Sequence, residues 1–256
     1  MSYALGLILV LASSASALPR IEKGIYKLPE YMKVCQRSDA SLDKCLKETL
    51  QDLIPKFSAG VPEFRMPALD PMHLSDLRMD YDDGSILGSI LVKNMRVEGI
   101  SNLTVVDVRT SFEETDKLGM EVDVFFPIIF MEGVTKMVGK LWELNLSTQA
   151  KFNVTMGGIS ATWKIRGEME ERDGREFLKV VEFDMKPLVA AMAINVNPLF
   201  PKSESMSQFA EGVINSMWPE IYEALLPMAR SNWDKIMTQL ANNVFQKIPL
   251  HVLLPL

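Results

Sequence analysis

A run of alternating apolar and polar residues in the middle of the chain restricts the fold more than any other feature. Between residues 138 and 156 the even positions are mainly apolar and the odd positions mainly polar. A period of two over such a length predicts a β-strand with one apolar face. At about 3.3 Å per residue the strand would extend roughly 60 Å, so we expect it to bend or to contain a bulge.

Shorter stretches with the same alternation lie on both sides of this run. The even positions of residues 118–130 are largely apolar, and residues 159–169 and 177–185 repeat the pattern. An earlier stretch, 86–108, is less regular. Together these stretches predict several neighbouring strands that share one apolar face.

Residues suited to tight turns separate the predicted strands. Asp-Gly pairs occur at 83–84 and 173–174, and such pairs favour two-residue hairpins. A Gly-Gly pair at 157–158 falls between two further predicted strands. Residues 73–187 are therefore predicted to form an antiparallel meander with one apolar and one polar face.

Helical periodicity precedes and follows the predicted sheet. Residues 39–54 place their apolar side chains on one stripe, and a longer stripe covers 206–225. Pro219 and Pro227 are expected to bend or interrupt this second helix. A third helical stripe covers 233–244.

These elements predict an α+β fold. A sheet with one apolar face and a long apolar helix can cover each other, with the helix inside the curve of the sheet. Periodicity leaves open whether the interior is a solid core or a groove or tunnel. The tail, residues 248–254, alternates again and predicts a last strand.

The first residues have the features of a secretory signal peptide. A short apolar stretch, Ala4 to Ala12, is followed by Ala15-Ser16-Ala17, which fits the small-residue pattern of a cleavage site. We expect a signal peptide over residues 1–17 and a single secreted domain over residues 18–256. The alternative is a buried N-terminal helix, although polar residues follow soon after the apolar stretch.

Three glycosylation sequons fit the same compartment. They begin at Asn102, Asn145 and Asn153, and each falls on the polar side of its predicted strand. A glycan has room there. We therefore predict that the protein is a glycoprotein.

The chain has two cysteines, Cys35 and Cys45. In an oxidising compartment an isolated pair most simply forms one disulfide. The alternative, a metal or redox site, would require C-x-x-C spacing or nearby histidines, and the only histidines are His73 and His251.

Composition and motifs argue against several classes of function. The formal net charge of −6 lacks the basic surplus that nucleic-acid binding requires. No apolar run approaches the roughly 18–20 residues that span a bilayer. Motifs for catalytic serines, zinc proteases and nucleotide binding are absent, and the calcium-like residues 80–84 are in the wrong register. We predict no enzyme activity, metal or cofactor; a hydrolase using one of the histidines is the alternative.

Methionine is abundant, with 17 residues in the chain. Flexible thioethers adapt to irregular apolar partners, but they also fill gaps in ordinary cores. Six lie on predicted apolar faces: Met120, Met156, Met169, Met185, Met206 and Met217.

A series of motifs near the N-terminus is similar to a known family. The motifs are Leu28-Pro29-Glu30, Cys35, Ser41-Leu42-Asp43-Lys44-Cys45-Leu46, Ile54-Pro55, Gly60-Val61-Pro62-Glu63 and Leu69-Asp70-Pro71. Their order, with a spaced cysteine pair, a G-[IV]-P-E turn and then L-D-P, resembles the insect takeout and juvenile-hormone-binding-protein family. The tail around residues 250–256 and the chain length are also similar.

The resemblance implies a fold and a function. The fold is a long helix wrapped by a highly curved antiparallel sheet that encloses an elongated hydrophobic tunnel, as in the wider group of tubular lipid-binding proteins. The family's N-terminal disulfide would fall on Cys35 and Cys45. A second disulfide usual in the hormone-carrier branch has no cysteines here, so the resemblance favours the takeout branch, with its circadian, feeding, courtship or chemosensory roles.

The resulting hypothesis is a secreted, monomeric carrier of an elongated apolar ligand such as a terpenoid, a fatty acid or a juvenile-hormone-like lipid. Burial of apolar surface would drive binding. The alternative is a secreted signalling or interaction protein with a filled core and an unknown receptor. Parity on the predicted faces selects these candidate lining residues: Trp142, Leu144, Phe152, Val154, Trp163, Val181, Phe183, Met217, Ile221 and Leu225.

Overall fold

The computed structural model describes residues 28–74, 77–82, 86–113, 117–141 and 144–256. The strands in this part of the chain are β1 (Met72–Leu74), β2 (Leu77–Asp82), β3 (Ile86–Glu98), β4 (Thr104–Glu113), β5 (Lys117–Leu141), β6 (Leu144–Arg172), β7 (Arg175–Met185) and β8 (Leu188–Asn197). The α-helices are α1 (Leu42–Lys56), α2 (Glu204–Ser216), α3 (Trp218–Phe245) and α4 (Leu250–Leu253). Single 3₁₀ turns lie at Pro62–Phe64 and Ile100–Asn102.

Two long strands, β5 and β6, form the centre of one antiparallel sheet. β5 pairs with β6 from one end to the other, from Lys117 opposite Glu168 to Leu141 opposite Leu144, and β6 continues beyond it to Arg172. Strands β4 and β3 pair with successive halves of β5, and β8 and β7 pair with successive halves of β6. β1 and β2 pair with the other side of β3. The antiparallel sheet was predicted, but β8 lies beyond the predicted boundary at residue 187.

The predicted single strand over residues 138–156 is wrong, because a hairpin lies within it. Leu141 ends β5 and Leu144 begins β6, and the connecting residues 142–143 lie outside the described part. Across this hairpin each odd-numbered residue pairs with an even-numbered one. The inward-facing side chains near the hairpin are therefore the odd-numbered residues of β5 and the even-numbered residues of β6. Val138, predicted to be internal, is 47% exposed for this reason.

Both central strands also exchange their inner and outer faces half-way along. Phe126 and Ile129 are buried, whereas Ile128 between them is 57% exposed. On the partner strand, Gly158 has a positive φ of 60° at the same level, since Ile128 pairs with Gly157. The glycine pair therefore lies inside β6 and does not separate two strands, and Ile128 and Phe130 leave the inner face that parity predicted.

Local bulges explain the irregular alternation elsewhere. In the pairing of β6 with β7, the register shifts where Arg166 faces Glu182 and Gly167 faces Val180, so Val181 is an extra residue. In β3 the register shifts between Lys93 and Arg96. A bulge moves the following side chains to the other face, and simple parity therefore fails beyond it.

One predicted tight turn is present, and the other cannot be assessed. Asp173 and Gly174 both have positive φ values, 51° and 70°, between Arg172 and Arg175, which pair across the turn. This is the geometry that favours Asp-Gly in two-residue hairpins. The pair at 83–84 lies outside the described residues.

The helices differ from the predictions at their boundaries. The long C-terminal helix is interrupted at Met217, between α2 and α3, and Pro219 occupies the first turn of α3, where proline is tolerated. Pro227 lies inside α3 without ending it. The tail forms the short helix α4 after Pro249, so the strand predicted over residues 248–254 is wrong.

The predicted apolar stripe of α2 is largely at the surface. Met206, Phe209, Val213 and Met217 are exposed, and Phe209 is 75% exposed. The opposite side of α2 packs on β8. Burial of this stripe was therefore predicted wrongly.

Helix α3 lies inside the curve of the sheet, because it contacts β7 near one margin and β2 near the other. The Asn242 side chain exchanges two hydrogen bonds of 2.8 Å with the backbone of Val180 in β7. Asn215 of α2 does the same with Ile194 in β8, at 2.8 and 2.6 Å. These amides satisfy strand groups that the sheet leaves unpaired. No helix among the described residues is long and apolar enough to cross a membrane.

Candidate ligand-binding site

A cavity of about 710 Å³ lies between the inner face of the sheet and the helices. Along β5 its lining extends from Leu118 to Met137, which corresponds to roughly 60 Å of strand. The volume falls within the range of roughly 300–1,000 Å³ that is usual for small-molecule sites. The space is therefore large enough for a small molecule, and its lining is elongated along β5.

The helical wall of the cavity is one face of α3. Its lining residues recur at three- and four-residue steps, as expected for one side of a helix: Ile221, Leu225, Ala229, Trp233, Ile236, Leu240 and Val244. Helix α1 closes the cavity beside β4, against which it packs. Its apolar contribution is Leu46, Leu50, Leu53 and Ile54.

Methionines make up a large share of the lining. Twelve of the chain's 17 methionines border the cavity: Met32, Met66, Met72, Met79, Met95, Met120, Met131, Met137, Met156, Met185, Met192 and Met237. Since thioether side chains change conformation easily, such a wall can adapt to ligands of different shape.

Polar side chains in the lining are few, and most have partners within the protein. The Thr110 hydroxyl donates to Asp43 at 2.6 Å, and the Tyr222 hydroxyl donates to the Pro187 carbonyl at 2.9 Å. Burial raises the pKa of Tyr222, so this phenol stays neutral and acts as a donor. Thr49 contacts the Cys35 sulfur, and Asn232 donates to the Met228 carbonyl.

Lys33 is the only charged residue among the described lining residues. Its side chain is 56% exposed, and its ammonium lies 3.8 Å from Glu48 and 3.7 Å from Asp52. The charge is therefore directed to the surface, and the interior of the cavity contains no described ionised group.

Two polar groups in the cavity wall have no partner. The Thr135 hydroxyl and the Trp163 indole nitrogen are both buried, and neither forms a hydrogen bond. Thr135 lies opposite Ala150 and Trp163 lies opposite Val122, so they are 13 positions apart along β5. That spacing corresponds to roughly 40 Å of strand.

Comparison with known proteins identifies the family. The sequence model described as haemolymph juvenile hormone binding protein matches residues 7–255. The chain belongs to this family. The resemblance noted in the N-terminal motifs is thereby confirmed.

Relatives and solved structures support the assignment. The chain is 20% identical to the circadian clock-controlled protein daywake of Drosophila yakuba and 18% identical to that of Drosophila melanogaster, in each case over 86% of both chains. The crystal structure of takeout 1 from Epiphyas postvittana has the same fold, with a TM-score of 0.66 and 17% identity over 84% of this chain and 93% of that one.

Six of the ten candidate lining residues border the cavity in this family member: Phe152, Val154, Trp163, Phe183, Ile221 and Leu225. Val181 does not, because it is the extra residue of the β7 bulge. Met217 does not, because it lies at the break between α2 and α3 and is 49% exposed. Trp142 and the side chain of Leu144 lie outside the described part of the structure.

Sequence parity missed whole walls of the cavity. Strand β8 contributes Val189, Met192, Ile194 and Val196, although the last three alternate with polar or small residues and could have been recognised as a strand. The lining from β3 was missed because of its bulge. The unpartnered state of Thr135 has no sequence signature, since it depends on its neighbours in the fold.

The other predicted sites are placed as follows. Cys35 and Cys45 form a disulfide. Asn102 and Asn153 are exposed, whereas the side chain of Asn145 lies outside the described part.

The geometry gives little support to the two alternatives considered from the sequence, a hydrolase and a metal site. His73 and His251 are exposed, whereas a catalytic histidine of a hydrolase would lie in a cleft beside a nucleophile. The described residues contain no group of three or more His, Cys, Asp or Glu side chains suited to hold a metal ion.

Proposed function

We propose that this protein is a secreted carrier that binds an elongated hydrophobic molecule non-covalently in the cavity between the sheet and α3. The observation that carries this proposal is the continuous apolar lining of that cavity along β5 and α3. Burial of apolar surface contributes about 25 cal/mol per Å², so an oily ligand binds there without a dense set of polar contacts. Shape and length of the cavity then set specificity.

The same observation favours transport over the alternative, a secreted interaction protein with a filled core. A filled core would be packed throughout and would leave few voids larger than a water molecule. Here about 710 Å³ remain between the layers. The family description names juvenile hormone, so a juvenile-hormone-like lipid is one candidate ligand, and other terpenoids and fatty acids are further elongated apolar candidates.

Secretion is part of the proposal. Its supports are the signal-like residues 1–17, the disulfide between Cys35 and Cys45, and the exposure of Asn102 and Asn153 within sequons. On this view the single domain begins near Leu18 and the protein acts as a monomer. The circadian clock-controlled relatives suggest a circadian role, and the resemblance to the takeout branch suggests a feeding or chemosensory role as well.

Ligand extraction tests the carrier proposal directly. Protein secreted from insect cells is purified, extracted with organic solvent and analysed by mass spectrometry, and emptied protein is titrated with a fluorescent fatty acid and a fluorescent terpenoid. We expect a co-purifying lipid or saturable binding of a probe. Protein that is empty and binds neither probe contradicts the proposal.

A pair of substitutions on α3 places the binding site. Ala229 lines the cavity, so Ala229→Phe fills part of it and is expected to abolish or strongly weaken probe binding. Ala224 lies on the same helix but is exposed, so Ala224→Phe should bind as the wild type does. Equal binding by both variants would mean that the probe occupies another site.

A further inference from the structure

Trp163 lines a mostly apolar cavity, and its indole nitrogen is a buried donor without a hydrogen-bond partner. Trp163 lies on β6 between Val122 of β5 and Met185 of β7, and its ring is 5.9 Å from that of Phe183. The side chains of these neighbours contain no oxygen, and the indole nitrogen forms no hydrogen bond with their backbone. An indole N–H can donate a hydrogen bond but cannot accept one, so only an acceptor satisfies it.

Leaving such a donor buried without a partner is unfavourable, because it has lost its hydrogen bonds to water. Thr110 and Tyr222 do not compete for a ligand in the same way, because they already donate to Asp43 and Pro187. The hydroxyl of Thr135 is also unpartnered, but it lies roughly 40 Å away along the strand and can accept as well as donate. Met120 and Met185 pack in the same cluster as Trp163, and flexible thioethers can move aside for a ligand atom.

The distribution of charge around the cavity restricts which kind of acceptor can bind beside Trp163. Lys33, the one cation among the described lining residues, is directed to the surface and paired with Glu48 and Asp52. A carboxylate beside Trp163 would therefore be desolvated without a counter-charge, at a large cost. A neutral oxygen has no such cost.

We propose that the preferred ligand is an elongated apolar molecule carrying a neutral hydrogen-bond acceptor, such as a ketone, ester or ether oxygen, which accepts from the Trp163 indole N–H. This inference rests on the proposed carrier function and narrows its ligand class. A plain hydrocarbon and a free fatty acid are both poorer ligands, the first because it leaves the donor unpaired and the second because it buries a charge.

A set of ligands with equal chain length tests this preference. Hexadecane, a series of hexadecanones with the carbonyl at different positions, and palmitate compete with a fluorescent apolar probe for the wild-type protein. A net hydrogen bond of ordinary strength corresponds to a factor of roughly two to ten in affinity. We expect the best hexadecanone to bind about that much more tightly than hexadecane and than palmitate at pH 7.

Two variants distinguish the effect of the indole N–H on ligand affinity from the effect of the aromatic ring. Trp163→Phe keeps an aromatic side chain but removes the donor, so the affinity ratio of hexadecanone to hexadecane should fall to about one. Trp233→Phe, at another tryptophan that lines the cavity, should keep the wild-type ratio. The ratio is informative even where a substitution weakens the binding of all ligands.

A spectroscopic measurement on the wild type does not depend on these variants folding. The chain has four tryptophans, so ¹⁵N-labelled indoles give a spectrum that is simple to assign from single Trp→Phe variants, if necessary by elimination. The Trp163 indole signal should shift with hexadecanone and much less with hexadecane.

The outcomes distinguish the inference from the function on which it rests. Equal affinities for hexadecane and all hexadecanones, a preference that survives in Trp163→Phe, or tighter binding of palmitate would overturn the role of Trp163 and leave the carrier function intact. If the wild type binds none of the ligands, the carrier function itself is overturned together with the inference.

Discussion

At the scale of single residues, two buried threonines near one end of the central hairpin differ in one respect. Thr135 is 4% exposed and Thr148 is 5% exposed. The Thr148 hydroxyl donates to the Pro198 carbonyl at 3.3 Å, whereas the Thr135 hydroxyl has no partner. Burial without a hydrogen bond makes the hydroxyl of Thr135 a cost to the empty protein.

Thr135→Val should therefore stabilise the empty protein. Valine has nearly the same shape and carries no polar atom, so the free energy of unfolding is expected to rise by about 1 kcal/mol. Thr148→Val is the matched control and should lower it by about 1 kcal/mol, because it removes a hydrogen bond. Urea denaturation of delipidated protein measures both changes, and a loss of stability in Thr135→Val would show that its hydroxyl has a partner.

The side chain of Asp70, in the L-D-P motif, links the segment just before β1 to the turn between β3 and β4. Its carboxylate accepts from the Gly99 N–H at 3.1 Å, the Ser101 N–H at 3.0 Å and the Ser101 hydroxyl at 2.6 Å. Burial by itself raises the pKa of Asp70, but these hydrogen bonds outweigh it and hold the pKa below its usual value. The motif thus has a structural role.

The depressed pKa of Asp70 predicts a pH-dependent contribution to stability. A folded-state pKa below the unfolded value of about 3.9 gives stability that is present above that pH and is lost as the pH falls through the folded pKa. Asp70→Asn should lower the free energy of unfolding by about 2 kcal/mol at pH 7. Urea denaturation at several pH values measures the free energy of unfolding of both proteins. The difference between the variant and the wild type in this free energy should become smaller below about pH 4. A difference that stays constant down to pH 2 would contradict this account.

At the scale of elements, the sequence predicted which segments are strands or helices better than it predicted which side of each element is buried. The Asp173-Gly174 hairpin follows from local turn chemistry, which acts over four residues and can be read from sequence. The exchange of faces near Ile128, by contrast, occurs in both β5 and β6 at the level of Gly158, and the extra residue Val181 depends on the pairing of β6 with β7. Parity cannot reveal a change that is set by a partner strand.

The exchange of faces makes a sharp prediction for two adjacent isoleucines. Ile129 is 7% exposed and packs in the main core, whereas Ile128 is 57% exposed. Ile129→Ala should lower the free energy of unfolding by about 2–4 kcal/mol, and Ile128→Ala should change it by less than about 0.5 kcal/mol. Chemical denaturation of the two variants gives the comparison. A larger loss of stability in Ile128→Ala than in Ile129→Ala would mean that Ile128 is the buried residue, as the alternation in the sequence predicted.

The disulfide links the segment before α1 to that helix, and Cys35 lines the cavity. In the chain-entropy description, closing a loop of 10 residues stabilises the fold by about 2.5–3 kcal/mol. The double variant Cys35→Ser/Cys45→Ser should lose about that much in urea denaturation. Adding a reducing agent should produce a similar loss in the wild type and no change in the variant, which separates the covalent link from the effect of the substitutions.

At the scale of the whole molecule, the cavity could not be derived from residue patterns. An apolar face on a sheet and an apolar stripe on a helix are equally compatible with a packed core, since both are buried in either case. The family resemblance supplied the expectation of a hollow, and the curvature of the sheet around α3 leaves the space. The sequence does carry one indication of it, because 12 methionines from elements far apart in the chain line this cavity.

A hollow that binds a lipid couples ligand concentration to the stability of the entire fold. A ligand that binds only the folded state adds RT ln(1 + [L]/Kd), or about 2.7 kcal/mol at a hundredfold excess over Kd. For a chain of 256 residues this corresponds to an increase in Tm of roughly 5–10 °C. Scanning calorimetry of the wild type and Ala224→Phe with the best-binding probe should show this increase, whereas Ala229→Phe should show less than about 2 °C. An equal increase in all three proteins would mean that the lipid stabilises them from outside the cavity, because Ala229 borders the cavity and Ala224 does not.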